Sequence, residues 1–334
     1  ALDESILTTS PEAVVDDPAV DVVVEVMGGI EPARTLIMRA IAAGKSVVTA
    51  NKSVIARHGE DIAAAAAAAG VYVLIEAAVG GGIPIIEPLK QSLGSNRIQR
   101  VSGIINGTTN YILSRMAEEG ADYNAVLRDA QDLGYAEADP AADVEGLDAA
   151  DKIAILSGLA FGGPIDRNGI YTAGISTLQS RDVDYATQLG YGVKLLAVAE
   201  SMEPDPSHPT SLPLAVSVQP TLVPNDHPLA GVNGVNNAIL VEGDPIGRVM
   251  FYGPGAGSGP TASAVVADIL NIAGIRQLKP ADGNLDPLLA CYSATACKTS
   301  CNGRLSNHLN VNAHSTRVDN VDAAVLVKVL RGCA

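Results

Sequence analysis

The stretch DVVVEVMGG, residues 21 to 29, restricts the possible folds of this 334-residue chain more than any other. A continuous β-branched run ended by glycines is the pattern of a parallel strand buried on both faces. The following EPARTLIMRAIAAG has Pro32 for a first helical turn, apolar residues at helical spacing and Gly44 as a stop, and KSVVTA then reads as a second short strand. The alternation repeats with a helix over Ser53 to Ala69, stopped by Gly70, and a strand VYVLIEAAV from Val71. Strands alternating with helices of this length predict a parallel sheet with right-handed crossovers, half of a doubly wound α/β domain. The other half is not seen. No G-x-G-x-x-G precedes Asp21, and residues 1 to 20 read as a connecting loop and helix, so the sequence is expected to begin inside a domain.

After VGGGIP the pattern changes to α+β. Helices are predicted over 84–93, 107–118, 122–133, 147–160, 189–201 and 261–275. Strands are predicted at RIQRVSGIIN, LPLAVSVQPTLV, NAILVEG and GRVMFYG. The domains are accordingly drawn at 1–80, 81–280 and a divergent tail over 281–334, where periodicity fades into polar Ser, Asn and Thr. All four cysteines (Cys291, Cys297, Cys301, Cys333) fall in that tail, so the first 290 residues hold no disulfide or cysteine-ligand framework. The net charge of −15, with 22 Lys and Arg against 37 Asp and Glu, disfavours nucleic acid. The longest apolar run, Ala63 to Ala69, is too short to span a bilayer, and residues 1 to 20 carry acids instead of a basic leader. The reading is a cytoplasmic protein with small-molecule partners.

GYAEADPAADVEGLDAADK, residues 134 to 152, sets Glu137, Asp139, Asp143, Glu145, Asp148 and Asp151 beside a single lysine, Lys152. So many carboxylates cannot all ionise close together without partners, so some must face water or hold a cation. Asp148 and Lys152 are i and i+4, which brings a carboxylate and an amine to one helix face at the edge of an apolar segment. Partial burial would lower the lysine pKa toward proton-transfer range, and the carboxylate would hold it up. A surface ion pair on a capped helix has the same spacing, and spacing alone does not choose. TANKS, residues 49 to 53, puts Lys52 at the carboxyl end of a parallel strand, where open α/β sheets bind ligands; a solvated loop lysine is the alternative. EAAVGGGIP, residues 76 to 84, has carbonyls that could coordinate a cation, or is a tight turn between domains. GPGAGSGPTAS, residues 253 to 263, is a possible phosphate cradle or a hinge. The five histidines show no zinc-enzyme spacing, and Cys291, Cys297, Cys301, His308 and His314 match no recognised zinc pattern.

VVVEVMGGIEPA, GKSVVTANK, EAAVGGGIPII, GIINGTTNYIL and GYAEADPAADVEGLDAADK, in this order, closely resemble the homoserine dehydrogenase family. The resemblance is most specific from about residue 14 to 161 and continues through GPGAGSGPTASAVVADI to about 280. It implies NAD(P)-dependent interconversion of L-aspartate 4-semialdehyde and L-homoserine, on the path to threonine and methionine. It implies a Rossmann-type nucleotide domain, here expected to be incomplete, followed by an α+β catalytic and dimerisation domain in a homodimer. Carried over residue by residue, Glu137 and Asp143 would bind the substrate's polar groups and Asp148 would orient the reacting hydroxyl or a water near it. Lys152 is the proton donor, and Lys52 stands where substrate meets nicotinamide. Asn51, Lys52, Gly134, Glu137, Gly255 and Gly257 lie at the cofactor, NADP or NAD. Glu76 with the carbonyls of Val79, Gly81 and Ile83 binds sodium or potassium.

The sequence departs from the family at both ends. It lacks the opening strand and Gly-rich turn that grip the pyrophosphate, which predicts weak nucleotide binding and little activity of this chain alone. It carries no recognisable threonine-sensing ACT domain after LDPLLAC, and the compositional break there suggests a truncated or frame-shifted coding sequence. The competing readings are a catalytically silent dimerising or amino-acid-binding module, and a different NAD(P)-dependent dehydrogenase. The latter is disfavoured by the complete set of Glu137, Asp143, Asp148 and Lys152.

Overall fold

The structure is a computed structural model that describes residues 7–163, 165–202 and 213–277. Helix α1 (Pro11–Asp16), capped by the Ser10 hydroxyl, leads into β1 (Val22–Glu25). Helix α2 (Ala33–Ala42) crosses to β2 (Ser46–Thr49), and α3 (Lys52–Ala69) crosses to β3 (Val73–Leu74). The three strands form a parallel sheet in sequence order. Every residue of β1 and β2 is buried, which is why residues 22–24 and 47–48 are apolar without alternation. One face packs Val23 and Val47 against Ile37 of α2 and Ile62 of α3.

The strand expected from Val71 to Val79 is cut short. Only Val73 and Leu74 join the ladder, and Glu76–Ala78 turn into a 3-10 helix. The cause is Glu76: its carboxylate accepts from the amides of Ile85, Ile86 and Glu87 at 2.7, 2.9 and 2.9 Å. Those are the unsatisfied amides at the start of α4 (Ile86–Lys90), so the chain curls back to cap it.

The second unit is a six-stranded sheet of β4 (Arg97–Ile104), β5 (Tyr171–Thr172), β6 (Tyr191–Ser201), β7 (Leu214–Pro224), β8 (Asn236–Asp244) and β9 (Gly247–Pro254). Its order is β5-β7-β6-β4-β8-β9, antiparallel except for the β5–β7 edge. Between β4 and β5 run α5 (Gly107–Glu119), α6 (Tyr123–Asp132), α7 (Ala141–Val144) and α8 (Leu147–Phe161), and α9 (Ser180–Gln188) precedes β6. The main core lies between these helices and one sheet face, joining Ile112, Ile153 and Leu156 to Val101, Leu195 and Ile239.

The expected helix over 189–201 is the strand β6. It is covered on both faces: Val193, Leu195, Ala197 and Ala199 face the main core, and Leu196 and Val198 a second cluster with Val223, Leu229 and Val232. Two-sided burial erases the alternation that marks a strand, leaving a run that reads equally as a buried helix. Helix α9 was not anticipated; the Asp182 carboxylate accepts from Gln179 N at 2.9 Å and starts it.

Helix α10 (Ser258–Gln277) returns to the first sheet, where Ala264, Val265 and Ile272 cover Val22, Val24 and Val48 on the face opposite α2 and α3. Among the described residues no helix is long and apolar enough to cross a membrane. The tail from 281 onward, with its cysteines, His308 and His314, lies outside the described residues.

Candidate active site

The site grows from two helix starts. Helix α8 is buried along almost its whole first three turns, including Asp148, Asp151 and Lys152. Its i,i+4 pair is formed: Lys152 Nζ lies 2.7 Å from Asp148 Oδ2 and donates to the Ile105 carbonyl at 2.8 Å. Lys52, the first residue of α3, reaches Asp148 from the other side at 2.9 Å to Oδ1. One buried carboxylate is therefore shared by two ammonium groups from different units of the fold. Burial by itself would raise the Asp148 pKa, but Lys152 and Lys52 overcome it and hold the carboxyl well below its usual range. Burial likewise disfavours the Lys52 ammonium, and Asp148, with Asp143 and Asp151 behind it, more than compensates, so its pKa is raised.

Asn106 completes the centre, and the sequence reading passed over it. Its Oδ1 accepts from Thr109 N at 2.9 Å, capping α5, while its Nδ2 donates to Asp143 Oδ1 at 2.6 Å and Asp148 Oδ2 at 3.0 Å. The cap signal is visible in the sequence as Asn-Gly-Thr-Thr, but the link to residues 143 and 148 is non-local. Burial raises the Asp143 pKa, with the Asn106 amide opposing and the Asp148 charge adding to it. Asp143 is thus the carboxyl most easily protonated in a cluster whose neighbour stays ionised.

At the carboxyl ends of β1 and β2 a second network forms. Glu25 Oε2 accepts from Thr49 Oγ1 at 2.6 Å and its Oε1 from Met27 N at 2.8 Å. Asn51 caps α3 through Val54 N and donates to Gly29 O at 2.7 Å. These bonds fix the Gly28–Gly29 turn beside the start of α3, where open parallel sheets take nucleotides. Glu25 was also missed; a carboxylate inside an apolar strand was its signal.

A third group joins the two glycine stretches. Gly82 N donates to Pro254 O at 3.0 Å, and a Cβ on Gly81 (φ +53°) would stand 2.6 Å from the Gly255 oxygen. A Cβ on Gly255 would overlap the Asn237 side chain, so both glycines are set by close approach of backbone. Gly257 immediately precedes α10. The buried carbonyls of Val79, Gly81 and Ile83 accept no hydrogen bond from the described residues, and Asn237 Oδ1 is buried without a partner. Unsatisfied buried oxygens grouped on one turn suit a hard cation. Glu76 offers its backbone oxygen only, because its carboxylate is taken up by the α4 amides. Among the described residues no three His, Cys, Asp or Glu side chains gather as a metal site.

Gly134 and Glu137 are drawn into none of these three groups. Both are exposed on the loop between α6 and α7, where Gln131 Nε2 donates to the Glu137 backbone oxygen at 3.0 Å.

Two family models match the chain. One, described as homoserine dehydrogenase, covers residues 84–270, and the other, its NAD binding domain, covers residues 2–76. The chain belongs to the homoserine dehydrogenase family. A homoserine dehydrogenase of Synechocystis sp. is 59% identical over 299 residues, 90% of this chain and 68% of that protein. One from Pseudomonas aeruginosa is 50% identical, over 82% of this chain and 61% of its own length. The crystal structure of a homoserine dehydrogenase from Thiobacillus denitrificans superposes with a TM-score of 0.78 at 53% identity, covering 82% of this chain and 62% of that one. A hyperthermophilic archaeal homoserine dehydrogenase in complex with NADPH gives 0.68 at 29% identity, over 80% of this chain and 76% of that one. The chain thus spans about three fifths to two thirds of the curated relatives it matches most closely among these. Homoserine dehydrogenases are nicotinamide-dependent oxidoreductases, and the nucleotide-domain match overlies β1, β2 and the Glu25–Asn51 network.

Proposed function

We propose that the protein interconverts L-homoserine and L-aspartate 4-semialdehyde with NADP or NAD. The observation that carries this reading is the sharing of Asp148 by Lys52 and Lys152 at the junction of the two sheets. A bound nicotinamide supplies the hydride to the aldehyde carbon, or takes it from the alcohol. Lys152 gives its proton to the oxygen that becomes negative as the carbonyl is reduced, and takes it back from the hydroxyl in oxidation. Asp148 fixes the Lys152 amine and keeps the charge of the centre balanced while the proton moves. Lys52 adds a second positive group at the side of the cleft nearest the nucleotide unit. Asp143, held by the Asn106 amide, receives the substrate's ammonium, and Glu137 is assigned to the substrate's polar groups with it. Asn51, Lys52, Gly134, Glu137, Gly255 and Gly257 border the dinucleotide.

The same reading assigns sodium or potassium to the backbone oxygens of Glu76, Val79, Gly81 and Ile83. It is supported by the unpaired buried carbonyls on that turn. It also carries the family's role in threonine and methionine formation, a homodimer and a cytoplasmic location. The cytoplasm suits a chain whose first 290 residues contain no cysteine. The domains remain proposed at 1–80 and 81–280.

Titration of L-homoserine into the protein by calorimetry, with L-serine as control, tests the substrate site without reference to turnover. Binding of L-homoserine that weakens at least about tenfold in Asp143→Asn is expected, the loss of a charged hydrogen bond. No binding, or equal binding of L-serine, would reject the reading. Replacing potassium and sodium by a large organic cation should lower thermal stability if the glycine turn holds the ion, and leave it unchanged if not.

A further inference from the structure

Three residues along α8 from Asp148 stands a second buried carboxylate, Asp151. Asp151 is 5% exposed and its two oxygens are fully engaged. Oδ2 accepts from Ser53 Oγ at 2.8 Å and from Arg57 at 3.0 Å, both on α3. Oδ1 accepts from Arg167 Nε at 2.6 Å, and the same guanidinium donates to the Leu147 carbonyl at 3.1 Å, at the start of α8. Arg57 also holds the Ser53 carbonyl at 3.2 Å, so the first turn of α3 is fixed as a unit. Ser53 is the residue next to Lys52. The attachment of α3 to α8 therefore has two adjacent points, Lys52 on Asp148 and Ser53 with Arg57 on Asp151.

Apolar packing also joins the two helices, with Ile55 and Ala56 of α3 lying against the core that α8 shares. Arg57 and Arg167 line a cavity of about 1050 Å³ between α3 and α8, floored by Ile55, Ile62, Ile155 and Leu159. Beside that open space Asp148 and Asp151 carry polar contacts between the two helices.

We propose that Asp151 is a positioning residue for the reaction: by anchoring Ser53 and Arg57 it sets where Lys52 stands relative to Lys152, and so ties the nucleotide unit to the substrate unit. This rests on the functional reading above. Asp151 touches neither substrate nor cofactor in that reading. Its influence passes through the start of α3, and a displacement of an ångström at a reacting group costs on the order of a hundredfold in rate. The Asp151 charge also contributes to the raised pKa of Lys52, beside the larger contributions of Asp148 and Asp143.

Asp151→Asn keeps the shape and removes the charge, and Asp151→Glu restores the charge on a longer arm. With L-homoserine and saturating dinucleotide, kcat should fall roughly 10- to 100-fold in Asp151→Asn while KM for L-homoserine changes less than about threefold. Asp151→Glu should recover part of kcat. A lowered melting temperature with unchanged kcat would mean a structural role and overturn the proposal. The second readout needs no turnover. The rate of acetylation of Lys52, followed against pH by mass spectrometry, should rise in Asp151→Asn as the amine is freed and its pKa drops. An unchanged Lys52 profile would overturn the proposal, whether or not the protein oxidises L-homoserine. Failure of the parent protein to bind or oxidise L-homoserine would instead strike the functional reading on which it rests.

Discussion

Lys152 sits between one carboxylate and one peptide oxygen, and that is what makes its removal informative. In Lys152→Ala, Asp148 keeps Lys52 and Asn106 as partners, so the buried charge is not left alone. Stability should fall by only about 1–2 kcal/mol, less than for a buried pair broken outright, while turnover falls on the order of a hundredfold or more with the loss of the proton donor. Urea unfolding beside a steady-state assay separates the two. Asn106→Ala acts on a cap and on substrate binding instead of on proton transfer. Loss of the α5 cap costs about 1 kcal/mol, and Asp143 and Asp148 lose the amide between them, so KM for L-homoserine should rise. Much of this residue scale was legible in the sequence, because i and i+4 on a helix need no tertiary information and the Asp148–Lys152 pair follows from it. Asn106, Glu25 and Asp151 were not legible as partners. The bonds of Glu25 to Thr49, Asn106 to Asp143 and Asp151 to Ser53 span 24, 37 and 98 positions, separations no local pattern encodes.

At the scale of elements, the closing helix α10 is pinned by Asp268, which is buried and accepts from Glu76 N at 2.9 Å. Burial pushes its carboxyl up to about 6; the Glu76 amide opposes this, and the charges of Glu76 and Glu87 add to it. An acid raised by folding binds more protons folded than unfolded between the ordinary carboxyl value and 6, so stability drops as pH rises through about 4 to 6. Asp268→Asn should flatten that slope and leave α10 at least as stable at neutral pH. Thermal unfolding across the window measures it, and an unaltered slope would remove Asp268 as its source. Lys194 of β6 plays a comparable part on the other sheet. It is buried, donates to Val232 O at 2.6 Å and Asn233 Oδ1 at 2.8 Å, and burial lowers its pKa to about 8 against the pull of Glu118. Lys194→Met strands those acceptors and should cost about 1–3 kcal/mol in urea unfolding. The first sheet, α5, α6, α8 and α10 were readable from periodicity. The strand β6 was not, since a strand covered on both faces offers neither period, and β3 was overruled by the capping demand that Glu76 meets.

Over the whole molecule, the two sheets meet through side chains at the start of α3 and α8, and through α10 returning across the sequence to the first sheet. Alternating strands and helices foretold the parallel sheet. The order β5-β7-β6-β4-β8-β9 was not foretold, because strand pairing depends on contacts between distant segments whose sequences are interchangeably apolar. In the proposed function, hydride and proton are exchanged with L-homoserine at this junction. The most direct test is absorbance at 340 nm with L-homoserine, raising NADP and then NAD until the rate no longer climbs, in the parent protein and in Lys152→Ala. An L-homoserine-dependent rise is expected in the parent, falling at least about a hundredfold in the variant. A variant as fast as its parent, or a parent that reduces neither dinucleotide at any concentration, would contradict it.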